Sequence, residues 1–158
     1  MLGFTLLPAA AYCEGDVENL KQYEYWNNGR VRNCTVYDRQ GFLKGKAFCR
    51  TDGIVEKTEK YDRMGNKVEE AIFDARGKLV AGIDGWAATR WQYDGSRLVA
   101  QVTYDEFGRP LEFKQYSQGG NLLARQSMDS ENINQYEEAY MAAMLGGNNR
   151  KFANHDER

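Results

Sequence analysis

The groups able to do chemistry in this 158-residue chain are its carboxylates, three cysteines, one histidine and a set of aromatic rings. Asp105-Glu106 and Glu69-Glu70 are adjacent carboxylate pairs. Two carboxyls flanking a glycosidic bond are what sugar hydrolysis needs, so either pair is a formal acid-base candidate. The competing explanation is structural. Asp38, Asp62, Asp74 and Asp105 each open a glycine-containing turn, where a short carboxylate accepts backbone N–H bonds, and the glutamates suit a solvated sheet face. Cys13, Cys34 and Cys49 include no C-x-x-C pair, and the single histidine, His155, stands near the C-terminus. That set is too sparse for a zinc site, and one Asp per turn is sparse for calcium. There is no G-x-S-x-G nucleophile elbow and no phosphate-binding glycine loop. The expectation is a protein without enzymatic activity, metal or cofactor.

Aromatic residues offer a different chemistry, since exposed rings bind sugar rings or partner side chains. Trp86 and Trp91 flank a short stretch with Tyr93 close behind, and Trp26 sits beside Tyr23 and Tyr25. On one strand Trp86 and Trp91, five apart, would lie on opposite faces, whereas Trp91 and Tyr93 would share one. The candidate ligand-binding set is Trp91, Tyr93 and Arg90, with Trp86 beside them. The alternative is that these rings simply fill a packed face.

The elements that must position them follow from a repeat. Aromatic or cysteine anchors stand at Tyr25, Tyr37, Cys49, Tyr61 and Phe73, then at Tyr93, Tyr104 and Tyr116, mostly twelve residues apart. Glycine follows four residues after most of them, at Gly29, Gly41, Gly53, Gly65, Gly77, Gly108 and Gly120. Each unit therefore reads as a turn plus one strand, the Asp capping the turn and the Gly supplying its positive φ. Short loops force neighbouring strands to be antiparallel, so the product is a β-meander over residues 12–128. The longer interval between Phe73 and Tyr93 contains Asp84-Gly85, a two-residue hairpin signal. It divides that interval into strands Lys78 to Ile83 and Trp86 to Tyr93, giving about ten strands in all. Several of these are polar on both faces, which suits a single rolled or solenoid-like sheet.

Register is expected from the simplest turn closure. If Tyr61 pairs near Asn66, Val55 faces Ile72, Lys57 faces Glu70 and Lys60 lies opposite Lys67. If Tyr37 pairs with Phe42, Cys34 lies opposite Gly45 with Cys49 four residues on, about 13 Å away at strand rise. That separation exceeds the roughly 7 Å limit for a disulfide, so both cysteines are expected as small apolar residues of the sheet.

Outside the array, residues 1–11 are apolar and end in small residues, a candidate export signal or a first strand. Residues 129–147 switch to helical spacing, with Ile133, Tyr136, Tyr140, Ala143 and Met144 on one stripe. This predicts a helix capping the sheet edge, followed by a polar flexible tail over 148–158. The 21 Lys+Arg and 23 Asp+Glu leave a net charge of −2, which removes the electrostatic drive for nucleic acid. No apolar run approaches the roughly 20 residues of a membrane-spanning helix.

Tyr104 to Leu111 (YDEFGRPL) and Phe73 to Leu79 (FDARGKL) resemble the tyrosine-aspartate (YD) repeats of the Rhs and teneurin class, over about residues 25–128. The resemblance implies a spiralling antiparallel sheet in a secreted or surface-displayed bacterial polypeptide, acting as a shell, adhesin or carrier. The glycine-aromatic rhythm is also similar to the wall-binding repeats of choline-binding and glucan-binding proteins. The expected function is a structural or adhesive binding module of the cell surface, with protein or cell-wall polysaccharide as partner and self-association through open sheet edges. The alternatives are a carbohydrate-binding repeat module and a cytoplasmic interaction or immunity-type module gripping its partner with the C-terminal helix.

Overall fold

A computed structural model describes residues 19–128. Residues 1–11, Cys13, the stretch 129–147 and the tail 148–158 with His155 lie outside the described residues. Within them the chain forms nine strands: β1 (Leu20–Tyr25), β2 (Val31–Tyr37), β3 (Leu43–Cys49), β4 (Val55–Tyr61), β5 (Lys67–Ile72), β6 (Ala88–Asp94), β7 (Arg97–Tyr104), β8 (Pro110–Tyr116) and β9 (Leu122–Ser127). All pair antiparallel in sequence order in one sheet, β1 and β9 forming its two edges.

The turns explain the pairing. In Asp38–Phe42 the Asp38 N–H donates to the Phe42 carbonyl at 2.9 Å and the Gly41 N–H to the Asp38 carbonyl at 3.0 Å. The Phe42 N–H does not complete the ladder but donates to Asp38 Oδ1 at 2.9 Å, and Gln40 N–H donates to the same oxygen. The same closure recurs at Asp62–Asn66, Asp74–Lys78 and Asp105–Arg109. Where the first residue is not Asp, another side chain supplies the oxygen: Asn28 for Arg30 N–H, Asp52 for Ile54 N–H and Ser117 for Asn121 N–H. The fourth residue must turn left-handed, as at Gly41 and Gly65, with φ of 85° and 84°.

Because the fifth residue's amide is taken by a side chain, the next strand enters one residue out of step. A register shift follows at the anchor of each such hairpin, between Val36 and Tyr37, Lys60 and Tyr61, or Thr103 and Tyr104. This corrects the register expected from simple closure. Tyr61 pairs with Lys67, Lys60 with Glu69, Glu59 with Glu70 and Lys57 with Ile72, while Val55 pairs with Cys49. The expected Lys60–Lys67 repulsion is replaced by a Lys60–Glu69 ion pair of 2.6 Å. Lys57 still reaches Glu70, diagonally, at 3.9 Å. Cys34 lies opposite Ala47 instead of Gly45, and Cys34 and Cys49 are both buried thiols not joined in a disulfide.

The strand count is also corrected, to nine among the described residues. Lys78 to Ile83 is not a strand; only an isolated bridge joins Phe73 to Leu79. The Asp84-Gly85 dipeptide lies inside another five-residue turn, closed by Gly82 N–H to Trp86 O at 2.9 Å and Gly85 N–H to Gly82 O at 3.0 Å. Two turns in series thus leave the sheet after Ile72, and the chain re-enters where the Ile72 N–H meets the Ala87 carbonyl at 2.9 Å. Gly82 is held close to this exit: a Cβ there would stand 2.7 Å from Ile72 Cδ1.

Direct partners share a face, so the pairing defines two. On one, Cys34, Ala47, Thr58, Ala71 and Ala88 form a row across β2 to β6, every member buried. Val36, Ala100, Val102 and Tyr104 extend the buried set. The opposite face carries Thr35, Lys46, Glu59, Glu70, Thr89 and Thr103 in the corresponding row, with aromatic rings beside it.

The left-handed turn position is testable without changing any contact, because a Cβ at Gly65 would meet nothing within 4 Å. Gly65→Ala is expected to cost about 1–2 kcal/mol from backbone strain alone. Gly119→Ala, at a glycine without positive φ and with only ordinary contacts at 3.6 Å and beyond, is expected to be neutral or slightly stabilising. Urea unfolding of the two variants checks the difference.

Candidate functional site

The polar and aromatic face is densest over β3 to β6. Alternation places Lys57, Glu59 and Tyr61 of β4 together on it, and their contacts follow. Tyr61 donates its hydroxyl proton to Glu59 Oε2 at 2.6 Å, and Lys57 Nζ donates to Glu59 Oε1 at 3.0 Å. From β5, Lys67 Nζ lies 2.6 Å from Glu70 Oε2 and 3.6 Å from Glu59 Oε1. Glu59 and Glu70 are direct cross-strand partners, a like-charge pairing that is unfavourable alone. The two lysines on the same face neutralise it.

Aromatic rings border these lysines. Lys67 Nζ sits 4.9 Å above the Trp91 ring, Lys57 Nζ 4.4 Å above Phe48 and Lys46 Nζ 5.9 Å above Tyr61, all within cation–π range. Tyr93 is half-buried; burial raises its phenol above the ordinary value, against the opposing charge of Lys67 and with that of Asp62. Lys67 thus lies over Trp91 and acts on Tyr93 through its charge.

Electrostatics tighten the cluster. Burial alone would raise Glu59, but the Tyr61 hydroxyl and the Lys57 ammonium hold its carboxyl below the usual carboxylate range. Burial would lower Lys67, but Glu70 and Glu59 lift its ammonium above the usual value. Tyr61 is raised by burial and by its bond to Glu59. All three shifts favour the charged carboxylate and ammonium together with a neutral phenol.

The structure brings Trp91 and Tyr93 together and separates the other sequence candidates from them. Arg90 lies on the small-residue face, its Nε donating to Glu69 Oε2 at 2.9 Å, with Lys60 on the other Glu69 oxygen. Neighbouring residues of a strand point to opposite faces, so Arg90 could not join its neighbour Trp91. Trp86 is outside β6: it closes the Gly82–Trp86 turn, and the strand parity drawn for it does not apply. Trp26 staples turns at one sheet end, its Nε1 donating to the Cys49 carbonyl at 3.2 Å and Arg32 lying 5.0 Å above its ring. The residue missed at the sequence level is Lys67, whose place beside Trp91 depends on the register shift after Tyr61.

The carboxylate pairs are differently occupied. Glu69 and Glu70 face opposite sides of β5, one with Lys60 and Arg90, the other with Lys67 and Lys57, so they cannot flank one bond. Asp105 accepts Arg109 and Phe107 N–H bonds at 2.8 and 2.9 Å. Burial would raise it, but these bonds and the Arg109 guanidinium hold it below the ordinary value, the opposite of what a general acid needs. Among the described residues no group of three or more His, Cys, Asp or Glu is arranged to hold a metal ion. None of their helices is long and apolar enough to cross a membrane.

No family model matches the chain, and no curated protein matches it. Among solved structures, accessory secretory protein 1, 2 and 3 from Streptococcus pneumoniae aligns with TM-score 0.43 and 13% identity, over 83% of this chain and 26% of that one. The glycosylation associate protein (Gap123) complex from Streptococcus agalactiae aligns with TM-score 0.43 and 14% identity, over 84% and 26%. A DUF3836 family protein from Bacteroides vulgatus aligns with TM-score 0.19 and 16% identity, over 71% of this chain and 99% of that one. The chain spans about a quarter of the length of the first two.

The cluster has a defined pH window. A lowered Glu59 contributes stability above its ordinary value of 4.5, lost as pH falls through the folded value; a raised Lys67 contributes below 10.5, lost as pH rises through the folded value. Urea unfolding across pH is expected to show a shallower acid limb in Glu59→Gln and a shallower alkaline limb in Lys67→Met than in the parent.

Proposed function

We propose that this chain is a non-enzymatic adhesive binding module of a secreted or surface-held bacterial polypeptide, built from YD-type repeats. The observation that carries the binding role is the grouping of Trp91 and Tyr93, half-exposed on one face around Lys67. Half-exposed rings beside an ammonium supply apolar area and polar contact in one place, the combination that carbohydrate and protein surfaces both engage. The nearby carboxylates and lysines are committed to one another, which favours holding a ligand over turning one over.

Tryptophan fluorescence tests this directly, with titration against solubilised bacterial cell-wall polysaccharide and surface-protein extracts. A saturable shift is expected in the parent and in Trp86→Phe, and its loss in Trp91→Ala. No shift with any preparation, or an unchanged shift in Trp91→Ala, overturns the proposed face.

A further inference from the structure

The anchors divide by strand parity. On the odd strands, Cys49 of β3, Phe73 just beyond β5 and Tyr104 of β7 fall on the small-residue face and are buried, while Tyr25 of the edge strand β1 is exposed. On the even strands, Tyr37 of β2, Tyr61 of β4, Tyr93 of β6 and Tyr116 of β8 fall on the opposite face, at the opposite sheet end. All four are half-exposed. Their face follows from alternation and from contacts: Tyr61 bonds Glu59, and Tyr116 bonds Gln101 at 3.2 Å, a residue of β7 directly opposite Trp91.

These tyrosines make a row perpendicular to the strands, one on every second strand. With strands about 4.8 Å apart, their spacing is about 9.5 Å and the row spans roughly 29 Å. The row survives the break in the sequence period. Tyr61 and Tyr93 are 32 residues apart, against 24 for Tyr37 and Tyr61, yet they remain two strands apart because β5 pairs directly with β6.

We infer that this row is a track for a linear β-1,4-linked polysaccharide lying across the strands, one disaccharide for every two strands. This rests on the binding role proposed above and names its ligand class. An extended β-1,4-linked chain repeats each disaccharide, about the spacing of the tyrosines, so successive rings can stack on successive sugars in the same way. Beside the row, Thr35 and Lys46 stay half-exposed on the same face. Sugar hydroxyls, which both donate and accept, match these groups and the tyrosine phenols. A polyproline segment has a similar period, about 9.3 Å per turn, but its backbone brings no donors where proline stands, whereas each sugar presents several hydroxyls to the phenol oxygens. Lys57 and Lys67 are already neutralised by Glu59 and Glu70, so the track suits an uncharged chain.

The test is calorimetric titration of the full chain with oligosaccharides of two, four, six and eight β-1,4-linked glucose or N-acetylglucosamine units. Affinity for at least one series is expected to rise stepwise up to the eight-unit chain, because four rings one disaccharide apart need about seven units to be reached together. Tyr37→Ala should weaken binding of the eight-unit chain about tenfold and leave the two-unit chain nearly unchanged, while Tyr37→Phe, which keeps the ring, should bind like the parent. Unchanged thermal unfolding confirms that each variant is folded. Affinity independent of chain length, an unchanged Tyr37→Ala, or no binding by either series overturns the inference. Binding of a proline-rich peptide or a wall protein in place of the sugars would overturn it while leaving the adhesive role standing.

Discussion

The structure depends on one hydrogen bond repeated along the sheet, from the fifth turn residue's amide to a side-chain oxygen. In four of the turns that oxygen belongs to the opening Asp. The bond does more than satisfy a donor. By diverting an amide from the strand ladder it shifts the next strand by one residue, and a one-residue shift changes which face a side chain occupies. The ion pair of Lys60 with Glu69 and the approach of Lys67 to Trp91 are both consequences of that offset. Ser117 supplies the oxygen from the same opening position, and Asn28 and Asp52 supply it from the third position of their turns, so the constraint belongs to the amide and not to a particular residue position.

A single layer must find its core laterally. The row of Cys34, Ala47, Thr58, Ala71 and Ala88 is buried, and its members are all short. The other face uses a different device: Lys57 and Lys67 extend their alkyl stems over the sheet, end on Glu59 and Glu70, and cover Phe48 and Trp91 with their ammonium groups. Stems of this kind bury apolar area while keeping charge near water. The polarity of the middle strands on both faces, which in a two-layer protein would leave the core unfilled, is therefore how this sheet is covered.

Much of the fold was legible because turn chemistry is local. Asp and Gly at fixed offsets mark the turns, short loops force antiparallel neighbours, and the meander follows. The register was not legible, because Tyr61 followed by a turn gives no outward sign that Asn66 will spend its amide on Asp62 Oδ1. Asp84-Gly85 misled for a related reason: its short-hairpin signal is the same as that of Asp94-Gly95, where Asp94 does pair with Arg97 across two residues. Only the exit after Ile72 distinguishes them. In the site, the common face of Trp91 and Tyr93 was readable from parity. Parity also excluded Arg90, which its neighbour's position already placed on the other side.

The twelve-residue unit has a consequence that no single unit contains. Each turn reverses the strand and carries the next anchor to the other face, so equivalent residues of consecutive units meet different surroundings. Cys49, Phe73 and Tyr104 are buried, whereas Tyr37, Tyr61, Tyr93 and Tyr116 are half-exposed. The first set can be small, aromatic or mixed, because packing asks only for volume and apolarity. The second is tyrosine throughout. A phenol at each of four half-exposed sites, two of them bonded to Glu59 and Gln101 on their own sheet, presents flat rings with polar tips in a regular line. If the row binds a periodic ligand as proposed, uniformity on the displayed face is what that ligand requires, and variety on the buried face is what packing alone permits.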